Sequence, residues 1–178
     1  YSGGLDTSVI LHWLVSQGHQ VVTFTANLGQ DENMEEIAGK ARTVGAIQTY
    51  VQDMQEEFVT NFIFPAIRAN AIYEGRYLLG TSLARPLTAR AQVEIAQKEK
   101  AHVLAHGSTG KGNDQVRFEL TYHALAPELD IYVPWRDPNF FKQFQGRSDL
   151  LRYARRNDIP LKTSRAKPWS SDPNLMHI

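Results

Sequence analysis

Ser2-Gly3-Gly4-Leu5-Asp6-Thr7-Ser8, running into the apolar stretch that begins Val9-Ile10-Leu11, is the segment on which the reading of the whole chain turns. Two adjacent glycines let a backbone bend tightly and approach a ligand without interference from Cβ atoms. A helix that starts immediately afterwards offers unpaired N–H groups and the positive end of its dipole to an anion. Ser2, Thr7 and Ser8 place hydroxyl groups around the same point. A plain turn into a helix, with Asp6 or Thr7 as its N-cap, would use some of the same residues. The complete string of glycines and hydroxyls favours a loop that cradles a pyrophosphate.

Outward from this loop the chain alternates. A helix is expected over 9–15, closed by Gly18, then a β-branched strand over 20–26. An acidic helix over 32–44 ends at Gly45, and a short strand follows at 47–51. Phe58, Val59, Phe62, Ile63, Ala66 and Ile67 recur at helical spacing and are expected to form one buried stripe, with Pro65 kinking or dividing that helix. Leu87, Ala91 and Ile95 mark another helix. A strand at 102–106 leads into the glycine-rich loop 107–112, and a helix over 114–125 should turn Val116, Leu120 and Ala124 inward. A strand at 131–133 follows, and beyond Pro134 only 148–157 reads as helical, with an irregular tail from Pro160. The order predicts an α/β fold: an open, mainly parallel, doubly wound sheet with flanking helices. Ligands in such folds sit at the carboxyl ends of strands, so the two glycine-rich stretches are expected to face one crevice.

Composition narrows the functions available. The 178 residues carry 19 basic and 19 acidic side chains and a formal charge of zero, which gives no footprint for nucleic acid or an acidic membrane surface. There is no cysteine, so disulfides, thiolate metal sites and cysteine nucleophiles are out of reach. No apolar run approaches a membrane span and no signal peptide opens the chain, which reads as a cytoplasmic protein. His12 and His123 lie within helical segments without a second ligand at metal spacing, and Trp13, Phe58, Phe62, Phe64, Phe140, Phe141 and Phe144 read as packing or interface residues.

The opening string resembles the PP-loop of the N-type ATP pyrophosphatases, which cleave ATP between its α- and β-phosphates. It is not a Walker A loop: the nearest candidate, Gly110-Lys111, has Ala105 where the first glycine belongs and Gly112 where Ser or Thr belongs. The second loop, His106-Gly107-Ser108-Thr109-Gly110-Lys111-Gly112-Asn113-Asp114-Gln115-Val116-Arg117-Phe118-Glu119, combines a lysine, amides, a carboxylate and an arginine. Lys111 can neutralise phosphate, while Asn113 and Asp114 can hold an amino acid's carboxylate and ammonium. Read plainly, the same run is a solvated loop with Asp114 capping a helix and Arg117 paired to a surface acid. This run, Tyr77-Leu78-Leu79-Gly80-Thr81-Ser82-Leu83-Ala84-Arg85-Pro86, Pro134-Trp135-Arg136 and the closing Pro168-Trp169-Ser170…Asn174-Leu175-Met176-His177-Ile178 are together similar to the argininosuccinate synthase family, in order and over essentially the whole chain.

That resemblance implies roles. Tyr1, Ser2, Gly3, Gly4, Leu5, Asp6, Thr7, Ser8 and Ala26 would contact ATP, with Ala105, His106, Gly107, Ser108, Thr109, Gly110, Lys111, Gly112 and Asn113 closing over it. Tyr77, Ser82, Asn113, Arg117 and Ser170 would bind citrulline; Thr109, Asn113 and Asp114 would bind aspartate. Asp114 and Lys111 would be the groups nearest the chemistry. Magnesium would ride on the phosphates, with no protein ligand. The implied reaction activates citrulline by adenylation and joins it to aspartate, which demands positioning and charge stabilisation more than a nucleophile. The family's first strand would precede residue 1 and its second domain, which carries most of a homotetramer interface, would follow residue 178. Residues 1–178 are thus expected to be a nucleotide-binding domain unable to complete the reaction alone. The rivals are another AMP-forming PP-loop ligase and a silent relative that only binds ATP.

Overall fold

The computed structural model describes residues 1–161 and 173–177. Helix α1 (Leu5–Ser16) rises from the Gly3-Gly4 turn, and strand β1 (Val22–Asn27) follows. Helix α2 (Met34–Val44) begins at Asn33, whose side chain accepts from the N–H groups of Glu35 and Glu36 at 2.9 and 3.2 Å. Two acids in its first turn suit the positive end of the dipole, and Gly45 closes it in the left-handed conformation. Strand β2 (Gln48–Asp53) pairs parallel with β1, Phe24 opposite Tyr50. Tyr1 lies against β1 as well: its carbonyl accepts from Thr25 Oγ1 at 2.7 Å.

Pro65 divides the next helical stretch, as its missing N–H requires. A short helix α3 (Gln55–Phe58) passes into a π turn at Val59–Ile63, and α4 (Phe64–Arg68) restarts with the proline in its first turn. Helix α5 (Gly80–Glu99) is the longest, 20 residues, and it is buried on two sides. Ala84, Leu87 and Ala91 pack with Phe24, Leu28, Met54, Phe58 and Ile63. Ala89, Val93 and Ala96 pack with Leu104, Phe118, Tyr122 and Ala126. Small side chains on both stripes allow neighbours to approach closely from two directions. Strand β3 (Val103–Ala105), helix α6 (Asn113–Leu125) and strand β4 (Asp130–Tyr132) complete this side, with β3 and β4 parallel.

A third core joins Val9, Ile10, Leu11 and Trp13 of α1 to Ala41 and Val44 of α2 and to Phe140, Phe144, Leu150, Ala154 and Ile159. The parallel strands and flanking helices match the α/β expectation; among the described residues the strands form two parallel pairs, β1–β2 and β3–β4. No helix there is long and apolar enough to cross a membrane. The structure also places the predicted packing aromatics: Phe58, Phe140 and Phe144 are fully buried, whereas Phe64 and Phe141 are exposed. His12 has a local partner, its Nδ1 lying 2.9 Å from the Tyr153 hydroxyl.

Ile67, expected inside with Phe58 and Ile63, is 60% exposed, since the π turn at Val59–Ile63 breaks the α-helical spacing between them. Two further expectations are corrected. The inward face of α6 is not Val116, Leu120 and Ala124. Val116 and Leu120 are 51% and 64% exposed, and Ala124 is exposed too, whereas Phe118 and Tyr122 are buried. Both stripes have helical spacing, but the aromatic one removes more surface from water, about 150–250 Å² per ring. It also satisfies its polar tip, since the Tyr122 hydroxyl donates to Gln92 Oε1 at 2.6 Å. The second correction is beyond Pro134, where a 3-10 turn (Pro134–Arg136) and helix α7 (Pro138–Gln143) precede α8 (Arg147–Arg156). The local signal is Asp137-Pro138: an acidic N-cap followed by proline at the first helical position.

The Asp137 carboxylate accepts from Asn139 N–H at 2.7 Å and from the Tyr132 hydroxyl. The Tyr132 hydroxyl holds the pKa of the Asp137 carboxyl below its ordinary value of 3.8; burial opposes this, and the N–H groups of Asn139 and Phe140 add to the lowering. A lowered folded-state pKa means that the contribution is present above the unfolded value and is lost as pH falls through the folded one. Loss of this N-cap in Asp137→Ala should reduce stability by about 1 kcal/mol in urea melts at neutral pH. The gap between variant and parent should close on acidification below the ordinary carboxylate range; a gap of unchanged size in acid would assign the effect to packing.

Candidate functional site

The N-terminus of α1 is bare of side-chain caps, because its N-cap is Gly4. Gly3 has φ +71°, a conformation that favours glycine, and a methyl group there would lie a tight 3.2 Å from Ile37 Cγ1. Gly4 differs: at φ −70° and ψ 177° any residue fits, and an added Cβ would meet only Ser2 Oγ at 3.3 Å. The hydroxyls gather as expected. Ser2 Oγ lies 3.1 Å from Thr7 Oγ1 and accepts from Gly4 N–H at 3.3 Å, while Ser8 Oγ donates to the Gly4 carbonyl at 2.6 Å. The Tyr1 hydroxyl is 3.0 Å from Ser8 Oγ. Lys40 of α2 donates its ammonium to the Gly3 carbonyl, a cation at the loop that no motif announces. Burial raises the pKa of the Asp6 carboxyl, against its own N–H and the charge of Arg147.

The second loop meets the first. A methyl group on Gly107 would lie 3.3 Å from both Thr7 Cγ2 and Ile10 Cδ1, so this loop rests on the opening turns of α1. Ala105 ends β3 with its carbonyl accepting from Gln92 Nε2 at 2.9 Å. His106 is buried, stacked on Phe118 at 5.3 Å, with Nε2 3.6 Å from Glu119 Oε1. Burial lowers the His106 pKa, Glu119 pulls it up, and Arg136 pushes it down. The loop then turns at 109–112, Gly112 N–H donating to the Thr109 carbonyl at 3.4 Å, with Gly110 against Arg136. Arg136 in turn lies 3.0 Å from Glu119 Oε1, which ties the Pro134-Trp135-Arg136 segment to this loop. Ser108 lies within the same loop, Lys111 is exposed, and Asn113 opens α6.

Asp114 is held by two guanidinium groups. Arg85 reaches its Oδ2 with Nε and Nη2, both at 3.0 Å, and Arg117 Nη1 reaches Oδ1 at 2.8 Å. The partner of Arg117 is therefore Asp114 itself. Arg85 was not among the expected site residues, although it lies in the block 77–86; its only local signal is its place one turn after Ser82. Tyr77 and Ser82 also stand together, the tyrosine hydroxyl accepting from Ser82 N–H and Oγ–H at 3.3 and 3.4 Å. Burial raises the Tyr77 pKa, but the hydrogen bonds from Ser82 and Thr81 outweigh it, and the net shift is downward. Pro86, inside α5, leaves the Ser82 carbonyl without its in-helix donor. Arg85 thus links the start of α5, where Ser82 meets Tyr77, to Asp114 and Arg117 on α6. Ala26, opposite Gln52 in the parallel pair, accepts from Gln30 Nε2 at 2.7 Å through its carbonyl. Ser170 lies outside the described residues.

This arrangement offers an anion cradle at α1, a second polar loop packed on it, and an adjacent cluster of one carboxylate and two guanidinium groups. Residues 1–160 match the profile of the "Arginosuccinate synthase N-terminal HUP domain". Over all 178 residues the chain is 58% identical to an argininosuccinate synthase of Thermotoga petrophila, 57% to one of Xenopus tropicalis and 56% to one of Bos taurus. Those matches cover 44%, 43% and 43% of the relatives, so the chain spans less than half their length. With a matching profile over most of its residues and identity of this order throughout, the chain belongs to the argininosuccinate synthase family.

Proposed function

We propose that the protein bearing this chain is an argininosuccinate synthase: it joins citrulline to aspartate and converts ATP to AMP and pyrophosphate. The observation that carries the reading is the junction at Gly107, where the second loop rests on the helix opened by the Gly3-Gly4 turn. The cradle suits a triphosphate on its own chemistry. Its helix N-terminus carries no side-chain cap, its Gly3 is favoured by a positive φ, and its rim carries Ser2, Thr7 and Lys40. Magnesium on the phosphates would neutralise charge there.

The chemistry is activation followed by capture. The ureido oxygen of citrulline attacks the α-phosphorus and pyrophosphate leaves; the aspartate amine then attacks the ureido carbon and AMP leaves. In this reading Tyr1–Ser8, Ala26 and residues 105–113 bind ATP, with Lys111 at the phosphates. Arg117 exchanges Asp114 for the carboxylate of citrulline beside Tyr77, Ser82, Asn113 and Ser170. Asp114, still held by Arg85, is then released on its Oδ1 side for the ammonium of aspartate, near Thr109 and Asn113. Ion pairs of this partly exposed kind exchange readily because each is worth little in water. A cytoplasmic homotetramer, with no nucleic-acid or membrane partner, completes the reading.

The central test is pyrophosphate release by the full-length protein, which should require citrulline. ATP binding without turnover would instead favour a silent nucleotide-binding relative. Gly4→Val should fold normally, given the ordinary dihedrals at that position, yet lose ATP affinity by about 100-fold in calorimetry, because its side chain enters the cradle. A folded variant with unchanged ATP affinity would rule out the phosphate loop. Gly3→Ala, by contrast, should lower stability itself by about 1–2 kcal/mol in denaturant melts.

Arg117→Leu and Asp114→Ala should divide the reaction. Loss of a charged hydrogen-bond partner should raise the KM for citrulline on the order of 10- to 100-fold in Arg117→Leu. Asp114→Ala should keep citrulline-dependent exchange between ATP and labelled pyrophosphate while impairing the step that consumes aspartate. If Asp114→Ala abolished the exchange and Arg117→Leu spared it, the two sites would be reversed.

A further inference from the structure

The short turn at 174–177 is far in sequence from β1 and from the start of α5, yet it touches both. His177 Nε2 accepts the Gly80 N–H at 3.0 Å, and its ring meets that of Tyr77 edge-on at a centroid distance of 5.2 Å. At the other side of the turn, Leu175 N–H donates to the Leu28 carbonyl at 2.9 Å. Leu28 follows directly on β1, two residues after Ala26. The turn is closed on itself by Asn174 N–H donating to the His177 carbonyl at 3.1 Å and by Met176 N–H donating to Asn174 Oδ1 at 2.9 Å. Met176 then packs into the core shared by β1 and α5. Opposite Leu175 stands Gly29 at φ +88°, where a Cβ would fall 2.5 Å from the leucine side chain.

The helix start explains why such a contact has consequences. Leu79, the N-cap of α5, is left-handed at φ 64° and its side chain caps nothing. The first N–H groups of a helix need acceptors from elsewhere. Here Gly80 N–H is taken by His177 and Ser82 N–H by the Tyr77 hydroxyl. The histidine ring also lies against Tyr77, so one side chain restrains the backbone entering Ser82 and the ring that bonds to it.

We propose that the 174–177 turn is a clasp between the end of β1 and the start of α5, and that His177 is a positioning residue for the Tyr77–Ser82 pair. The assignment of that pair to citrulline rests on the proposed synthase function; the clasp itself does not. Through Leu28 the same clasp sets the distance between the nucleotide side of the site and the amino-acid side. His177 touches neither substrate. It acts on affinity for citrulline by fixing the groups that do.

The test uses the full-length protein with His177→Ala and His177→Gln. A glutamine amide oxygen can still accept from Gly80 N–H, whereas alanine cannot. His177→Ala should raise the KM for citrulline about tenfold, leave the KM for ATP within about twofold, and change kcat little; His177→Gln should recover most of the loss. Hydrogen–deuterium exchange in the unliganded protein provides a reading independent of activity. Amides at 80–83 should lose protection in His177→Ala and retain it in His177→Gln. An unaltered citrulline KM in a fully active His177→Ala enzyme would overturn the proposal. So would a uniform loss of activity and melting temperature that glutamine did not rescue, which is the mark of a purely structural residue. If the parent protein released no pyrophosphate with citrulline, the functional reading would fail. The clasp would then be judged by exchange alone, and protection equal in all three proteins would overturn it.

Discussion

Two-sided burial of α5 is the constraint on which the remaining geometry depends. One stripe of this helix packs with β1 and the α3–α4 region, and the opposite stripe packs with β3 and α6. A helix sandwiched in this way cannot slide or rotate without opening one core or the other, because close-packed interiors have no slack to absorb the shift. Gln92 fixes the register further. Its amide donates to the Ala105 carbonyl and its oxygen accepts from Tyr122, so one half-buried side chain ties together α5, β3 and α6. Leaving either partner unpaired in that interior would cost more than the bond itself contributes.

The cluster around Asp114 inherits its position from this anchoring. Ser82 and Arg85 lie in the first turns of α5, and Asp114 and Arg117 lie in the first turns of α6. The packing of the two helices therefore sets where the carboxylate and guanidinium groups meet. The Gly3-Gly4 turn depends on a different anchor. α1 is held by the third core, and Lys40 of α2 reaches back to the Gly3 carbonyl, so the turn is positioned from both ends of the α1–α2 unit. Gly107, resting on Thr7 and Ile10, is the point where the two halves of the site touch.

The electrostatics of the cluster are set by packing as well. With Arg85 and Arg117 on either side, the half-buried Asp114 carboxylate has two cationic partners, so loss of one would not leave it unpaired. His106 is arranged differently: it is buried, stacked on an aromatic ring, and faces Glu119, which Arg136 also approaches. Desolvation dominates there, which keeps the imidazole toward its neutral form behind the second loop.

The sequence by itself determined whatever depends on neighbours along the chain. The Gly3-Gly4 turn into α1, the acidic first turn and glycine end of α2, the break at Pro65, and the dense polar run 106–119 were all legible, because turn, cap and proline chemistry act over a few residues. So was the family, through blocks whose order and spacing survive in one dimension. The tertiary structure alone decided which face of α6 is inside, since Val116-Leu120 and Phe118-Tyr122 have the same helical spacing and only Gln92 and the α5 surface distinguish them. It alone paired Arg117 and Arg85 with Asp114, brought Lys40 to Gly3, and carried His177 across to Gly80. Each of these joins residues by the angle at which separate helices or turns meet. That angle is set by the shape of the shared core, and no local pattern in the chain encodes it.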